Sequence, residues 1–128
     1  ERTMSSPALY KSFAAAGAIL AKSFVKFTVN RMEVAQASGP TDKLAGAADL
    51  AALAAGDMVD VALDGLSEVT CGAVAIAAGD PITSDADGLA KTAALVAGQT
   101  VHVAGIALVP AAPGDVFPFL AERSVIVG

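Results

Sequence analysis

Ala54-Ala55-Gly56-Asp57-Met58-Val59-Asp60-Val61-Ala62-Leu63 is the stretch that decides the fold. Its first four residues form a turn. Gly56 supplies a positive φ without a Cβ clash, and the Asp57 carboxylate can accept a hydrogen bond from a backbone N–H exposed at the bend. The remainder is a strand, because Val59, Val61 and Leu63 fall on one face and Met58, Asp60 and Ala62 on the other. The same Ala-x-Gly-Asp unit recurs at Ala77–Asp80 and Ala112–Asp115, each time followed by apolar or β-forming residues. Repetition in matched settings makes these aspartates turn formers rather than three carboxylates converging on a metal or substrate.

A longer parallel surrounds two of the turns. Leu44-Ala45-Gly46-Ala47-Ala48, the turn at Ala54–Asp57 and the strand after it match Val103-Ala104-Gly105-Ile106-Ala107, the turn at Ala112–Asp115 and Val116-Phe117-Pro118-Phe119-Leu120. Each copy reads strand, loop, turn, strand. Asp49–Ala55 is rich enough in alanine for a short helix, but Pro110 and Pro113 disfavour a helix at the matching place in the second copy.

Other strands follow from composition. Phe24-Val25-Lys26-Phe27-Thr28-Val29 is β-branched and aromatic. Asn30-Arg31 marks a tight turn, with Asn30 the residue expected to take positive φ. Met32–Ala37 returns, and Ser38-Gly39-Pro40 ends it. Glu68–Cys71 and Ala73–Ile76 read as short strands broken by Gly72. Asp85-Ala86-Asp87-Gly88 is a turn from which Leu89–Thr92 pairs back, and Val101–Val109 is the longest late strand. Many short strands with frequent turns predict an all-β fold, a small barrel or tulip-like domain.

Residues 1–21 differ from the rest and read as an N-terminal arm before a single β domain over 22–128. Leu9, Tyr10 and Phe13 are its candidate partner-binding residues. They fit one helical face, and equally an extended arm that orders on a partner. Lys11 before Phe13–Ala21 only weakly imitates a signal peptide, and that apolar run is too short to span a bilayer.

The 128 residues fit one domain, with 30 alanines, 12 glycines, five Phe, one Tyr and no Trp. Small side chains bury little area each, so the core is expected to be thin and to gain stability by assembly. The net charge of −5 and the scattered eight Lys and Arg residues lack the dense basic surface that nucleic acid requires.

Candidate chemistry is sparse. Asp80, Asp85 and Asp87 form the densest acidic cluster, but Leu89 and Ala90 stand where a calcium loop would need ligands. His102, the one histidine, sits on a mostly apolar strand face. One His and one Cys do not build a typical zinc site. Cys71 has no basic neighbour in sequence to activate it and reads as a buried thiol. No catalytic, cofactor-binding or metal-ligating residue is assigned.

Gly79-Asp80-Pro81-Ile82-Thr83-Ser84-Asp85-Ala86-Asp87-Gly88, with Ala104–Leu108 and Ala112–Val116, resembles the capsid cement, or head decoration, proteins of tailed bacteriophages. The Phe24–Phe27 and Gly56–Val61 stretches fit the same pattern. The resemblance spans roughly residues 20 to 121. It implies a small β-barrel-like domain, commonly trimeric, on the outer surface of an assembled capsid, where it bridges major capsid subunits. The implied partners are the major capsid protein and further copies of the chain, with no nucleic acid and no membrane. The competing readings are a carbohydrate- or peptide-binding module of a virion or cell-surface fibre, an enzyme using the acidic cluster, and a shell protein proper.

Overall fold

The computed structural model describes residues 8–127. Nine strands run in chain order: β1 Ala8–Ala15, β2 Ser23–Phe27, β3 Glu33–Gln36, β4 Leu44–Ala48, β5 Met58–Thr70, β6 Pro81–Ser84, β7 Ala90–Thr92, β8 Thr100–Ala107 and β9 Val116–Val127. There is no helix among the described residues, so Asp49–Ala55 is a loop, as the second copy indicated.

All nine strands belong to one sheet ordered β1-β3-β2-β4-β5-β9-β8-β6-β7, and a further β1–β5 pairing closes the first five into a barrel. Only the β1–β3 pairing in that barrel is parallel. The remaining strands repeat the arrangement. β6 and β7 form an antiparallel hairpin as β2 and β3 do. β8 pairs with β6 and β9 as β4 pairs with β2 and β5. The end of β5 pairs with β9 as β1 pairs with β5, and the parallel closure is the Cys71–Ala90 bridge, the counterpart of Ala15–Val34. The chain is therefore two barrels of one topology that share β5, the last strand of the first and the first strand of the second.

The cores confirm the correspondence residue by residue. The first holds Phe13, Ala15, Ile19, Val25, Val34, Ala45, Ala48, Ala52, Val59 and Val61. Their counterparts Val69, Cys71, Ile76, Ile82, Ala90, Ala104, Ala107, Ala111, Phe117 and Phe119 are all in the second. Bulk has moved between positions: Phe13 faces valines in the first barrel, whereas Val69 faces two phenylalanines in the second. Packing density leaves little choice, since a ring gained at one position must be offset at its neighbours. Phe24, Ala37, Leu44, Ala47 and Ala121 join the second core from the seam, where Phe24 meets Phe119 edge to face at 5.6 Å.

Each Ala-x-Gly-Asp turn is built alike. The glycines take φ of 92°, 87° and 87° at Gly56, Gly79 and Gly114, as position i+2 of a type II turn requires. The aspartate N–H donates to the alanine carbonyl at 3.2, 3.1 and 3.0 Å. Its Oδ2 accepts the alanine N–H at 3.1, 3.0 and 3.0 Å. Each turn also clasps a strand end. Gly56, Gly79 and Gly114 donate to the carbonyls of Ala15, Ala107 and Cys71, whose own N–H groups donate to the carbonyls of Asp57, Asp80 and Asp115. The turn thus launches one strand and anchors another. A fourth turn, Val96-Ala97-Gly98-Gln99, has the backbone bond (3.1 Å) and Gly98 at φ 78°, with Gln in place of Asp.

Several local expectations change. Residues 8–21, read from composition as part of an arm, carry β1, which supplies one wall of the first barrel through its ladder with β5 from Ala8 to Ala14. Its helical alternative is replaced by an extended strand; residues 1–7 lie outside the described residues. Positive φ near the first hairpin falls on Met32 (54°), not on Asn30, whose side chain instead donates to Glu33 Oε1 at 2.9 Å. Glu68–Cys71 is no separate strand but the continuation of β5, and Ala73–Ile76 contributes only the Ile76–Ala111 bridge. Arg123–Val127, left unassigned in the resemblance, extends β9.

Candidate functional site

β1 places the candidate residues unequally. The β1–β5 ladder shifts register between Leu9 and Tyr10, whose partners Asp64 and Ala62 leave Leu63 as an extra residue on β5, and both β1 side chains lie at the surface, 63% and 43% exposed. Farther along the strand, Phe13 and Ala15 turn inward. Phe13 is accordingly a core residue, packed edge to face on Phe27 at 6.2 Å. Of the three, Leu9 and Tyr10 alone present side chains at the surface.

A shallow depression of about 300 Å³ lies beside Tyr10, lined also by Lys22, Leu66, Ser67, Glu68 and Pro118. Leu66 is 45% exposed. The sequence carried a signal for it: Val69 points inward, so Leu66, three residues before it on the same strand, points out. Lys22, at φ 53°, is held from both ends. Its carbonyl accepts the Thr70 N–H at 2.8 Å. Its Nζ donates to Asp49 Oδ1 at 2.6 Å and lies 3.5 Å from Glu68 Oε1. The Asp49 hydrogen bond, above all, raises the ammonium's pKa from its ordinary value against the opposing effect of burial. The depression sets Tyr10, Leu66 and Pro118 beside Ser67, Glu68 and the paired Lys22.

The acidic residues are occupied by the backbone. Asp85 Oδ1 accepts the N–H groups of Asp87 and Leu89 at 2.8 and 2.9 Å, which shapes the β6–β7 turn. Asp80 Oδ2 takes the Ala77 N–H and the Thr92 hydroxyl. No group of three or more His, Cys, Asp or Glu residues is placed to hold a metal among the described residues. Cys71 is buried, and burial first, then the Asp115 and Asp85 charges, push its thiol pKa up. A thiol held protonated is a poor nucleophile. His102 is half-buried, its N–H donating to Pro40 and its carbonyl accepting the Thr83 hydroxyl.

The family model for phage cement proteins matches residues 6–122, which span both barrels. The chain belongs to the phage cement protein family. A cement-family chain is a virion-associated structural protein that binds the capsid, and the sequence resemblance is thereby established. No curated protein sequence matches it. Among solved structures, the N base of head fiber gp8.5 of bacteriophage phi29 is similar at a TM-score of 0.68 and 20% identity, covering 92% of this chain and 97% of that one. At that identity the likeness is one of fold, and it supports the small all-β barrel architecture.

Proposed function

We propose that this chain docks on the outer surface of an assembled phage capsid as a homotrimer and bridges neighbouring major capsid subunits against the pressure of packaged DNA. The observation that carries the reading is the cement-family match across both barrels. The exposed Leu9, Tyr10 and Leu66 supply an apolar contact patch, and Phe13 sets that patch by fixing β1 in the barrel wall. A trimer engages several subunits at once. After the first contact the others are effectively intramolecular, so modest interfaces combine into avid binding. No step of this function needs a catalytic group.

The test is to mix the purified protein with expanded capsids and image them by electron microscopy. Protruding density at local three-fold positions is expected, and its absence at saturating protein overturns the reading. Light scattering independently checks the trimer.

A second reading is a carbohydrate- or peptide-binding β-barrel module of a virion or cell-surface fibre, a placement compatible with the fold shared with a head-fibre base. A clear hit on a glycan array, without capsid binding, would favour it.

A further inference from the structure

A second surface lies where the two barrels diverge. β9 leaves β5 after Ala121 and continues to Val127 along β8 alone. Among the described residues, the other edge of β9 from Glu122 to Val127 has no strand partner. Arg123, Ser124 and Val125 of this stretch line a cleft of about 330 Å³, together with Phe27, Lys43, Leu44, His102 and Val103. The floor is apolar, since Leu44 and Val103 are buried and Phe27 and Val125 flank them half-exposed.

The charge around this cleft runs against the rest of the molecule. The chain carries −5 overall, yet the charged groups lining the cleft are Lys43 and Arg123, and Glu122, the carboxylate of the same edge, does not line it. Neither is paired with a carboxylate among the described residues, whereas Lys22 and Lys26 both are. Arg123 is steadied by donating to the Ala45 carbonyl at 3.3 Å. A sheet edge offers backbone hydrogen bonds, an adjacent apolar cleft accepts alternate side chains, and two free cations select for carboxylates. These are the elements of strand addition.

We propose that the β9 edge and this cleft dock an extended, acidic segment of a partner protein, its apolar side chains in the cleft and its carboxylates at Lys43 and Arg123. A second copy of this chain fits less well. Two such clefts meeting edge to edge bring Lys43 and Arg123 of each copy together, and like charges across an interface oppose association. The inference does not depend on the Leu9–Tyr10 patch or on capsid binding.

The probes are two peptides, acetyl-Glu-Thr-Val-Thr-Val-Thr-Glu-amide, whose Val and Glu side chains share one face of a strand, and its Lys-for-Glu counterpart, titrated into the full chain and followed by amide NMR. The Glu peptide is expected to shift and protect amides of residues 122–127 and to bind about ten-fold more tightly than the Lys peptide at low salt. Lys43→Gln with Arg123→Gln should reduce that preference to about two-fold or less while leaving the unbound spectrum folded. Equal binding of both peptides, shifts confined to other surfaces, or no binding at millimolar peptide overturns the proposal. So does concentration-dependent pairing of the 122–127 amides without peptide, which would assign the edge to a second copy. Capsid imaging of the unmodified chain separates the two readings. Peptide binding without capsid binding leaves this site standing while the capsid proposal fails.

Discussion

Gly46 and Gly105 occupy one position in two barrels: each lies against the carbonyl oxygen of a residue across an antiparallel ladder, Ala62 for the first and Leu120 for the second. Both sit beside a register shift, between Val25 and Lys26 in the β2–β4 ladder and between Val103 and Gly105 in the β8–β9 ladder. A Cβ at either would overlap backbone, which cannot swing aside. Gly46→Ala and Gly105→Ala are therefore expected to cost about 3 kcal/mol each in urea unfolding. Gly39→Ala, which meets open space at an ordinary φ, should be near neutral. Equal stability of all three variants would refute the close approach.

The aspartates of the three turns should act as caps. Asp57 Oδ2 accepts two N–H groups, from Leu53 and Ala54, and Asp115 Oδ2 accepts that of Ala112. Replacement by Ala should cost about 1 kcal/mol per turn in thermal or urea unfolding, and replacement by Asn, which keeps an acceptor oxygen, should recover most of it. Because the side chains are exposed, an Asp→Ala loss larger than that of the core glycines is not expected.

Cys71 stands where the first barrel has Ala15. Cys71→Ala should consequently leave the fold intact at a cost of about 1 kcal/mol, the loss of one small buried group. The buried, protonated thiol should resist alkylation in the native protein and react at once in denaturant. Rapid native-state labelling by a maleimide would contradict the burial.

Lys22 gives a pH dependence whose sign follows from its raised pKa. The folded protein holds that proton more tightly than the unfolded chain, in which the amine titrates near 10.5. The stabilisation is present in full below that pH and is lost as the pH rises through the higher folded value. Lys22→Met keeps an unbranched side chain of similar reach and removes the charge together with its hydrogen bond to Asp49. The gap between native and variant stability should be about 0.5 kcal/mol near neutrality, given the partial exposure of the pair, and should shrink in strong alkali. A gap that widens above pH 10.5 would reverse the assignment.

The strands and turns were largely legible, for physical reasons that particular residues display. Gly56 and Asp57 carry the turn chemistry in their own side chains, and Val59 and Val61 carry the alternation, so neither depends on distant partners. The matched stretches around Gly46 and Gly105 revealed part of the duplication. The full extent was hidden because its core residues differ in size, with Phe13 answering to Val69 and Val59 to Phe117. β1 stands apart from the domain in composition because Leu9, Tyr10, Lys11 and Ser12 are all exposed and show no alternation. The partner that orders it is β5, far along the chain. The cleft at Lys43 and Arg123 joins residues no local pattern connects.

β5 runs unbroken through both barrels, pairing with β1 over its first part and with β9 from Gly65 to Thr70. That continuity decides how the molecule bears force. A pull that separates the barrels along β5 loads the Gly65–Thr70 bonds together, in shear, rather than peeling them one at a time. With the same strand a wall of each core, neither half can hinge without opening its own interior to water. Along that line the molecule is a stiff strut, not two beads on a string.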